Sequence, residues 1–293
     1  MQERWVDVDG VRLRIVVAGP ESGEPVVFLH GFPETAEMSW RYQLEWFAGR
    51  GYRVVAIDQR GYSLSDKPEG VSAYRLTRLA EDVVAVMQSL GHSVFTVVGH
   101  DWGAGVAWQL ADQHADRVKR AVILNVPHGV VFKRTLMRRP RQLLRSWYIV
   151  FFQLPVLPEW LLARDDCAWL RNTMRRTARP GTFSDDDLER YAAAWRQPGA
   201  LRAMINWYRG FVRHPVPLDP ARKIRVPVLV IWGEQDRFLL KDMAEPSVAM
   251  CEQGRLLRLP SASHWVQHEE PERVNAAIEA FLQATPAAAA AGR

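Results

Sequence analysis

The residue best placed for covalent chemistry is Asp101. It lies in Phe95-Thr-Val-Val-Gly-His-Asp101-Trp-Gly-Ala-Gly105, which reads as a strand, a turn bracketed by Gly99 and Gly103, and the start of a helix. Glycines on both sides let strand and helix cross closely, so the residue between them is lifted to the carboxyl edge of a sheet. An isolated Asp there could do no more than cap the helix. Its companions give it a further use. The apolar run 228–232 leads into Gly233-Glu-Gln-Asp236, and the run 256–259 leads into Pro260-Ser-Ala-Ser-His264, so an acid and a histidine follow successive strand ends. Glu234 competes for the acid role, and His268, one helical turn past His264, for that of the base. Asp236 and His264 are preferred because each stands where a loop leaves its strand. As metal ligands His264 and His268 have i,i+4 spacing but no third partner nearby, so no metal is expected.

An aspartate nucleophile restricts the reaction. Attack on an acyl carbon would give an anhydride no easier to cleave than the substrate, which argues against esterase and protease readings. Displacement at a saturated carbon instead gives an alkyl ester that water can later open at its carbonyl. A halide leaves as a weak base, whereas an epoxide oxygen leaves as a basic alkoxide and needs a proton donor. For the second step, Val27-Phe-Leu-His30-Gly-Phe-Pro-Glu34 follows an earlier strand and offers the Phe32 N–H as one oxyanion donor. The Trp102 N–H, free of intrahelical bonding at a helix start, offers another. The Phe32–Pro33 bond is expected to be cis, to aim the Phe32 N–H.

His30-Gly-Phe-Pro-Glu34 together with Gly99-His-Asp-Trp-Gly103 resembles the epoxide hydrolases of the α/β-hydrolase superfamily, and the resemblance spans most of the chain. Nucleophile, acid and histidine also follow in the order that superfamily uses. It implies an α/β-hydrolase fold: a mostly parallel central sheet, helices on both faces and an inserted helical cap. It implies, too, two cap tyrosines that hydrogen-bond the epoxide oxygen. The matching segments are Ser146-Trp-Tyr148 and Asn206-Trp-Tyr208-Arg, so the resemblance gives that role to Tyr148 and Tyr208. Tyr191 is the remaining tyrosine of the insert. The expected reaction is epoxide plus water to vicinal diol through an ester on Asp101, on a small hydrophobic epoxide and without a cofactor. Trp40, Trp102, Phe151 and Phe152 are expected to line an apolar pocket. A haloalkane dehalogenase would share Asp101, Trp102 and the acid–histidine pair but has no use for the tyrosines. A non-catalytic ligand receptor on this fold need not keep the full set of groups.

These residues must be positioned by an alternation of strands and helices. Val- and Ile-rich runs at 26–29, 53–57, 95–98, 120–124, 228–232 and 256–259 are nearly continuous in apolar character, as strands covered on both faces are. Asp9-Gly10, between the runs 5–8 and 11–18, signals an initial hairpin. Residues 76–90, 103–114 and 271–283 have helical periodicity. The alternation stops near Pro127 and resumes near Pro217, with no convincing strand between. The expected division is therefore a core of residues 1–127 and 217–293 and a helical cap of residues 128–216, in which Ser184 starts one helix as its N-cap. Residues 285–293 carry no pattern demanding burial, and a frayed tail is expected.

Composition and charge remove other classes. The chain has 293 residues, 48% of them hydrophobic and 24% charged, which fits one large folded core and excludes disorder. Cys167 and Cys251 have no pairing or metal-ligand spacing, which suits a reducing compartment. The first ten residues lack the apolar stretch of a signal peptide, and no run reaches the roughly 18 apolar residues of a membrane span. The expected location is cytoplasmic. A net charge of +5 conceals an asymmetry, since residues 133–216 hold 16 Lys+Arg against 7 Asp+Glu and the rest is mildly acidic. With no nucleic-acid motif beside it, that basicity reads as a solvated helical face and not as a nucleic-acid site.

Overall fold

Eight strands hydrogen-bond into one sheet. The computed structural model describes residues 1–284, so the predicted frayed tail from Thr285 lies outside the described residues. The strands are β1 (Gln2–Val8), β2 (Val11–Ala18), β3 (Pro25–Leu29), β4 (Arg53–Ile57), β5 (Phe95–His100), β6 (Val118–Leu124), β7 (Val228–Gly233) and β8 (Gly254–Leu259), and they lie side by side in the order β1-β2-β4-β3-β5-β6-β7-β8. β1 and β2 form the hairpin foreseen at Asp9-Gly10, and β2 pairs antiparallel with β4. From β4 to β8 every pairing is parallel. The strand positions agree with the apolar runs because a parallel sheet covered on both faces leaves no polar alternation to blur them.

Side chains alternate across that sheet into two cores. Val26, Phe28, Val98, Val122 and Ile231 face α1 (Ala36–Ala48) and α12 (Pro271–Gln283). Val27, Leu29, Val97, Ile123 and Val230 face α2 (Leu76–Ser89) and α3 (Trp102–Gln113). In α1 the buried stripe Trp40, Leu44, Phe47 recurs at i, i+4, i+7. Its first turn is capped from afar, by the Asp58 carboxylate accepting from the Ala36 N–H at 2.8 Å. Sequence periodicity did not single out α1.

Between β6 and β7 the chain makes six helices and, among the described residues, no strand of the sheet: α4 (Gly129–Arg138), α5 (Pro140–Arg145), α6 (Trp147–Phe151), α7 (Leu157–Thr177), α8 (Asp185–Trp195) and α9 (Ala200–Arg213). Ser184 does cap α8. Its side chain accepts from the Asp187 N–H while Asp187 returns a bond to the Ser184 N–H. α7 is broken in the middle, where Asp165, Asp166 and Cys167 all take left-handed backbone conformations. The short helices α10 (Ala244–Val248) and α11 (Val266–Glu269) flank β8.

Candidate active site

β5 ends at His100, and the chain turns at Asp101 (φ +48°, ψ −121°) into α3. The turn is possible because Gly99 and Gly103, two residues to either side, have no side chains. A Cβ on Gly99 would lie 2.3 Å from the Gly103 carbonyl oxygen, and one on Gly103 would lie 2.0 Å from that of Leu29. The strained backbone thereby holds the Asp101 carboxylate at the carboxyl edge of the sheet. Oδ1 accepts from the Phe32 N–H at 2.8 Å, and the Phe32–Pro33 bond is cis, as expected. Trp102 opens α3, so its N–H has no intrahelical acceptor.

Asp101 Oδ2 lies 3.4 Å from His264 Nε2, and His264 Nδ1 lies 2.7 Å from Asp236 Oδ2. Asp236 is itself fixed: Oδ1 accepts from the N–H groups of Phe238 and Leu239, at 2.7 and 2.9 Å, and Oδ2 from Asn125 Nδ2 at 2.8 Å. Burial alone would lower the His264 pKa, but the Asp236 charge, the hydrogen bonds of both carboxylates and the Asp101 charge outweigh it and raise it to about 10. Burial would likewise raise the Asp101 pKa. Its hydrogen bond to His264, that ring's charge and the Phe32 N–H hold it below the usual carboxylate value. In the ligand-free site the two groups thus form an imidazolium–carboxylate pair.

The competitors for these roles are engaged elsewhere. Glu234 pairs with Arg258 at 3.1 Å and Lys241 at 3.5 Å. His268 Nε2 lies 2.7 Å from Glu34 Oε1, in a buried group where Glu34 Oε2 also meets His100 Nδ1 at 2.8 Å. Despite its burial, Glu34 is held well below the usual carboxylate range by these two rings. Tyr191 Oη donates to the same carboxylate at 3.4 Å and so belongs to this group.

Above Asp101 lies a cavity of about 400 Å³, bounded by Phe32, Asp101 and His264 from the sheet edge and by Tyr148, Phe152 and Tyr208 from the helices between β6 and β7. The rings of Tyr148 and Tyr208 meet edge to face, with centroids 5.7 Å apart. Burial first, and then the Asp101 charge, push both phenols above their ordinary pKa, so each keeps its proton in the free protein. Gln153, just past α6, donates to the Tyr208 carbonyl at 3.2 Å, and Arg209 Nε donates to that of Phe152 at 2.9 Å. Arg209 is anchored in turn by Glu159 at 2.6 Å. These bonds tie the carriers of the two tyrosines to each other.

Three of the expected pocket residues do not line this cavity. Trp40 is fully buried across the sheet, 5.2 Å from the Phe28 ring, because its place on the α1 stripe sends it into the lower core. Phe151 packs on Trp147, one helical turn earlier, and leaves the cavity wall to Phe152. The Trp102 ring stacks edgewise on Tyr208 at 4.9 Å and on Trp207 and Phe211, behind the wall. Sequence reasoning also missed groups that complete the site. Asn125 stands directly after β6, so the strand-end argument that selected Asp236 and His264 could have found it. Gln142 and Arg145 of α5 gave no such signal. Gln142 donates to the Phe238 carbonyl and accepts from the Leu240 N–H, and Arg145 donates to the Asp236 carbonyl at 2.8 Å.

The family described as alpha/beta hydrolase fold matches residues 24–271. An AB hydrolase superfamily protein, YfhM, of Bacillus subtilis is 40% identical over 280 residues, 96% of this chain and 97% of its own. Epoxide hydrolase 4 of Homo sapiens is 40% identical over 281 residues, 94% of this chain and 76% of its own. Among solved structures, an epoxide hydrolase from Bacillus megaterium in complex with an inhibitor superposes with a TM-score of 0.87 at 32% identity, covering 96% of this chain and 100% of its own.

Proposed function

The chain belongs to the epoxide hydrolases of the α/β-hydrolase superfamily, and from that premise we propose that Asp101 opens an epoxide whose oxygen is received by Tyr148 and Tyr208. The observation that carries the assignment of roles is that a carboxylate, a histidine and two protonated phenols border a single apolar cavity. With Oδ1 held by the Phe32 N–H, Oδ2 is the oxygen that attacks. A bond forms from Oδ2 to one ring carbon, the bond from that carbon to the epoxide oxygen breaks, and the oxygen takes a tyrosine proton. Negative charge leaves Asp101 as it develops on the opened oxygen and passes to the tyrosine that gave the proton, so the attacking and leaving oxygens are never both fully anionic.

The ester then decides the second step. His264 loses one of the two carboxylates that keep it protonated, gives up that proton to restore the phenol left as a phenolate, and can then act as a base. It removes a proton from water, whose oxygen attacks the Asp101 carbonyl carbon. The Phe32 and Trp102 N–H groups hold the resulting oxyanion at Oδ1; its collapse breaks the bond from the carbonyl carbon to Oδ2, the leaving oxygen takes the proton from His264 to give a vicinal diol, and the acid formed on Asp101 returns a proton to His264. The cavity is aromatic and of modest size, which suits a small hydrophobic epoxide. We read the helices of residues 128–216 as a cap over a core formed by residues 1–127 and 217–293. The dehalogenase alternative is not favoured, because a halide leaving group has no need of two phenol donors.

Replacing His264 by Gln separates the steps. The variant should react once with an epoxide that the wild type turns over and retain an adduct of the epoxide's full mass, which peptide mass spectrometry places on Asp101. A variant inactive in turnover that remains unmodified would reject the nucleophilic role of Asp101.

A further inference from the structure

Sixteen large apolar side chains are exposed among the described residues, and nine of them fall in the 24 residues from Met137 to Trp160. They come from α4, α5, α6, the link after α6 that holds Leu154 and Val156, and the start of α7. Leu144 (73% exposed) and Trp147 (54% exposed) also line the cavity over Asp101, so the cavity opens within this apolar surface. The same part of the chain concentrates positive charge: from Lys133 to Arg164 there are seven basic residues and a single acid, Glu159, which is engaged with Arg209. Lys133, Arg134, Arg138, Arg139 and Arg141 have no ion-pair partner among the described residues, whereas the nearby Arg171, Arg196 and Arg209 are all paired.

Large exposed apolar groups among unpaired arginines are the chemistry of a helical surface that lies on a bilayer with anionic headgroups. We infer that the α4–α7 face docks the protein onto an anionic lipid surface, with Val150, Val156 and Trp160 entering the headgroup region and Arg138, Arg139 and Arg141 meeting acidic headgroups. Charge complementarity selects this occupant over a second copy. A symmetric pairing through this face would bring its unpaired positive charges together, and like charges at an interface oppose association. No helix among the described residues is long and apolar enough to cross a membrane, so the association is peripheral and reversible.

The test is flotation of the full chain with vesicles of phosphatidylcholine alone, or of phosphatidylcholine and phosphatidylglycerol in equal parts. Binding to the mixed vesicles only is expected. It should fall steeply as salt approaches 1 M, where the screening length contracts from about 8 Å to about 3 Å. Each arginine near an anionic surface contributes about fivefold, so replacing Arg138, Arg139 and Arg141 together by Ser should weaken partitioning about a hundredfold. Replacing Val150, Val156 and Trp160 by Ser should weaken it about tenfold or more by removing apolar burial. None of these six residues lines the cavity, so hydrolysis of a freely soluble epoxide should be unchanged in both variants. Equal flotation with neutral and acidic vesicles, flotation with neither, or flotation that survives both triple substitutions would overturn the inference. Self-association in sedimentation velocity that the Val150, Val156 and Trp160 variant abolishes would overturn it in favour of a second copy.

Discussion

His264 is in contact with two carboxylates that serve different ends. Asp236 is buried, tied by three hydrogen bonds and outside the reaction, whereas in the proposed mechanism the charge of Asp101 is consumed whenever an ester forms. A neutral Asn at position 101 imitates that ester electrostatically. In Asp101→Asn the His264 titration midpoint, about 10 with both carboxylates present, should fall by about one to three pH units, the usual effect of one opposite charge at this distance. Histidine ring resonances followed by NMR across the alkaline range would measure it. An unmoved midpoint would mean that ester formation does not release the base. The linkage has a definite sign. A raised histidine pKa stabilises the fold fully below about pH 6.5, and that contribution is lost as pH rises through about 10. At this scale the residues that the sequence singled out by side-chain chemistry, Asp101, His264, Tyr148 and Tyr208, border one cavity. The sequence misled for Trp40, Phe151 and the Trp102 ring, because an aromatic on a helix goes where the stripe of its own helix faces, and successive residues such as Phe151 and Phe152 face different sides.

The elements that hold these residues follow one rule: each chemical group of the core stands at the carboxyl end of a parallel strand, Phe32 after β3, Asp101 after β5, Asn125 after β6, Asp236 after β7 and His264 after β8. The strands were legible because their apolar runs are nearly unbroken. α1 was not, since its polar positions and the kink at Trp40 weaken the helical period. Of the junctions, the one from β5 to α3 tolerates least. In Gly103→Ala the new methyl would meet the Leu29 backbone at 2.0 Å, and neither strand nor helix can retreat without moving the other. Loss of at least about 1–3 kcal/mol of unfolding free energy is expected, together with Asp101 activity, and chemical denaturation beside single-turnover alkylation would test both. Wild-type stability would show that this crossing is looser than its geometry implies.

Among the described residues the helices between β6 and β7 close over the cavity at Asp101, and polar bridges fix them against the sheet edge. Trp195 donates to the Pro33 carbonyl at 2.6 Å, Trp207 to that of Arg60 at 3.0 Å, and Gln142 makes its paired bonds to the loop that carries Asp236. Gln142→Leu preserves volume but strands the Leu240 N–H and the Phe238 carbonyl, which should cost about 1–3 kcal/mol and lower turnover severalfold by loosening Asp236. Denaturant titration and steady-state kinetics would separate the two effects, and a destabilised variant with full turnover would make the bridge structural only. The run of helices between β6 and β7 was legible as an interruption in the strand pattern. How it grips the core was not, because bridges such as Gln142 to Phe238 join residues about a hundred positions apart and leave no local spacing. The break in α7 gives the molecule one more property. Three successive left-handed residues at Asp165–Cys167, none of them glycine, form a joint that gains little from its present length. Arg164 and Asp165 are exposed there, one turn or two before Trp169 and Thr173 at the cavity wall. A short graft between Arg164 and Asp165, such as a dye-binding tag, would therefore find room where the backbone has already left the helix, and it would carry a reporter next to the cavity without replacing any residue of its wall.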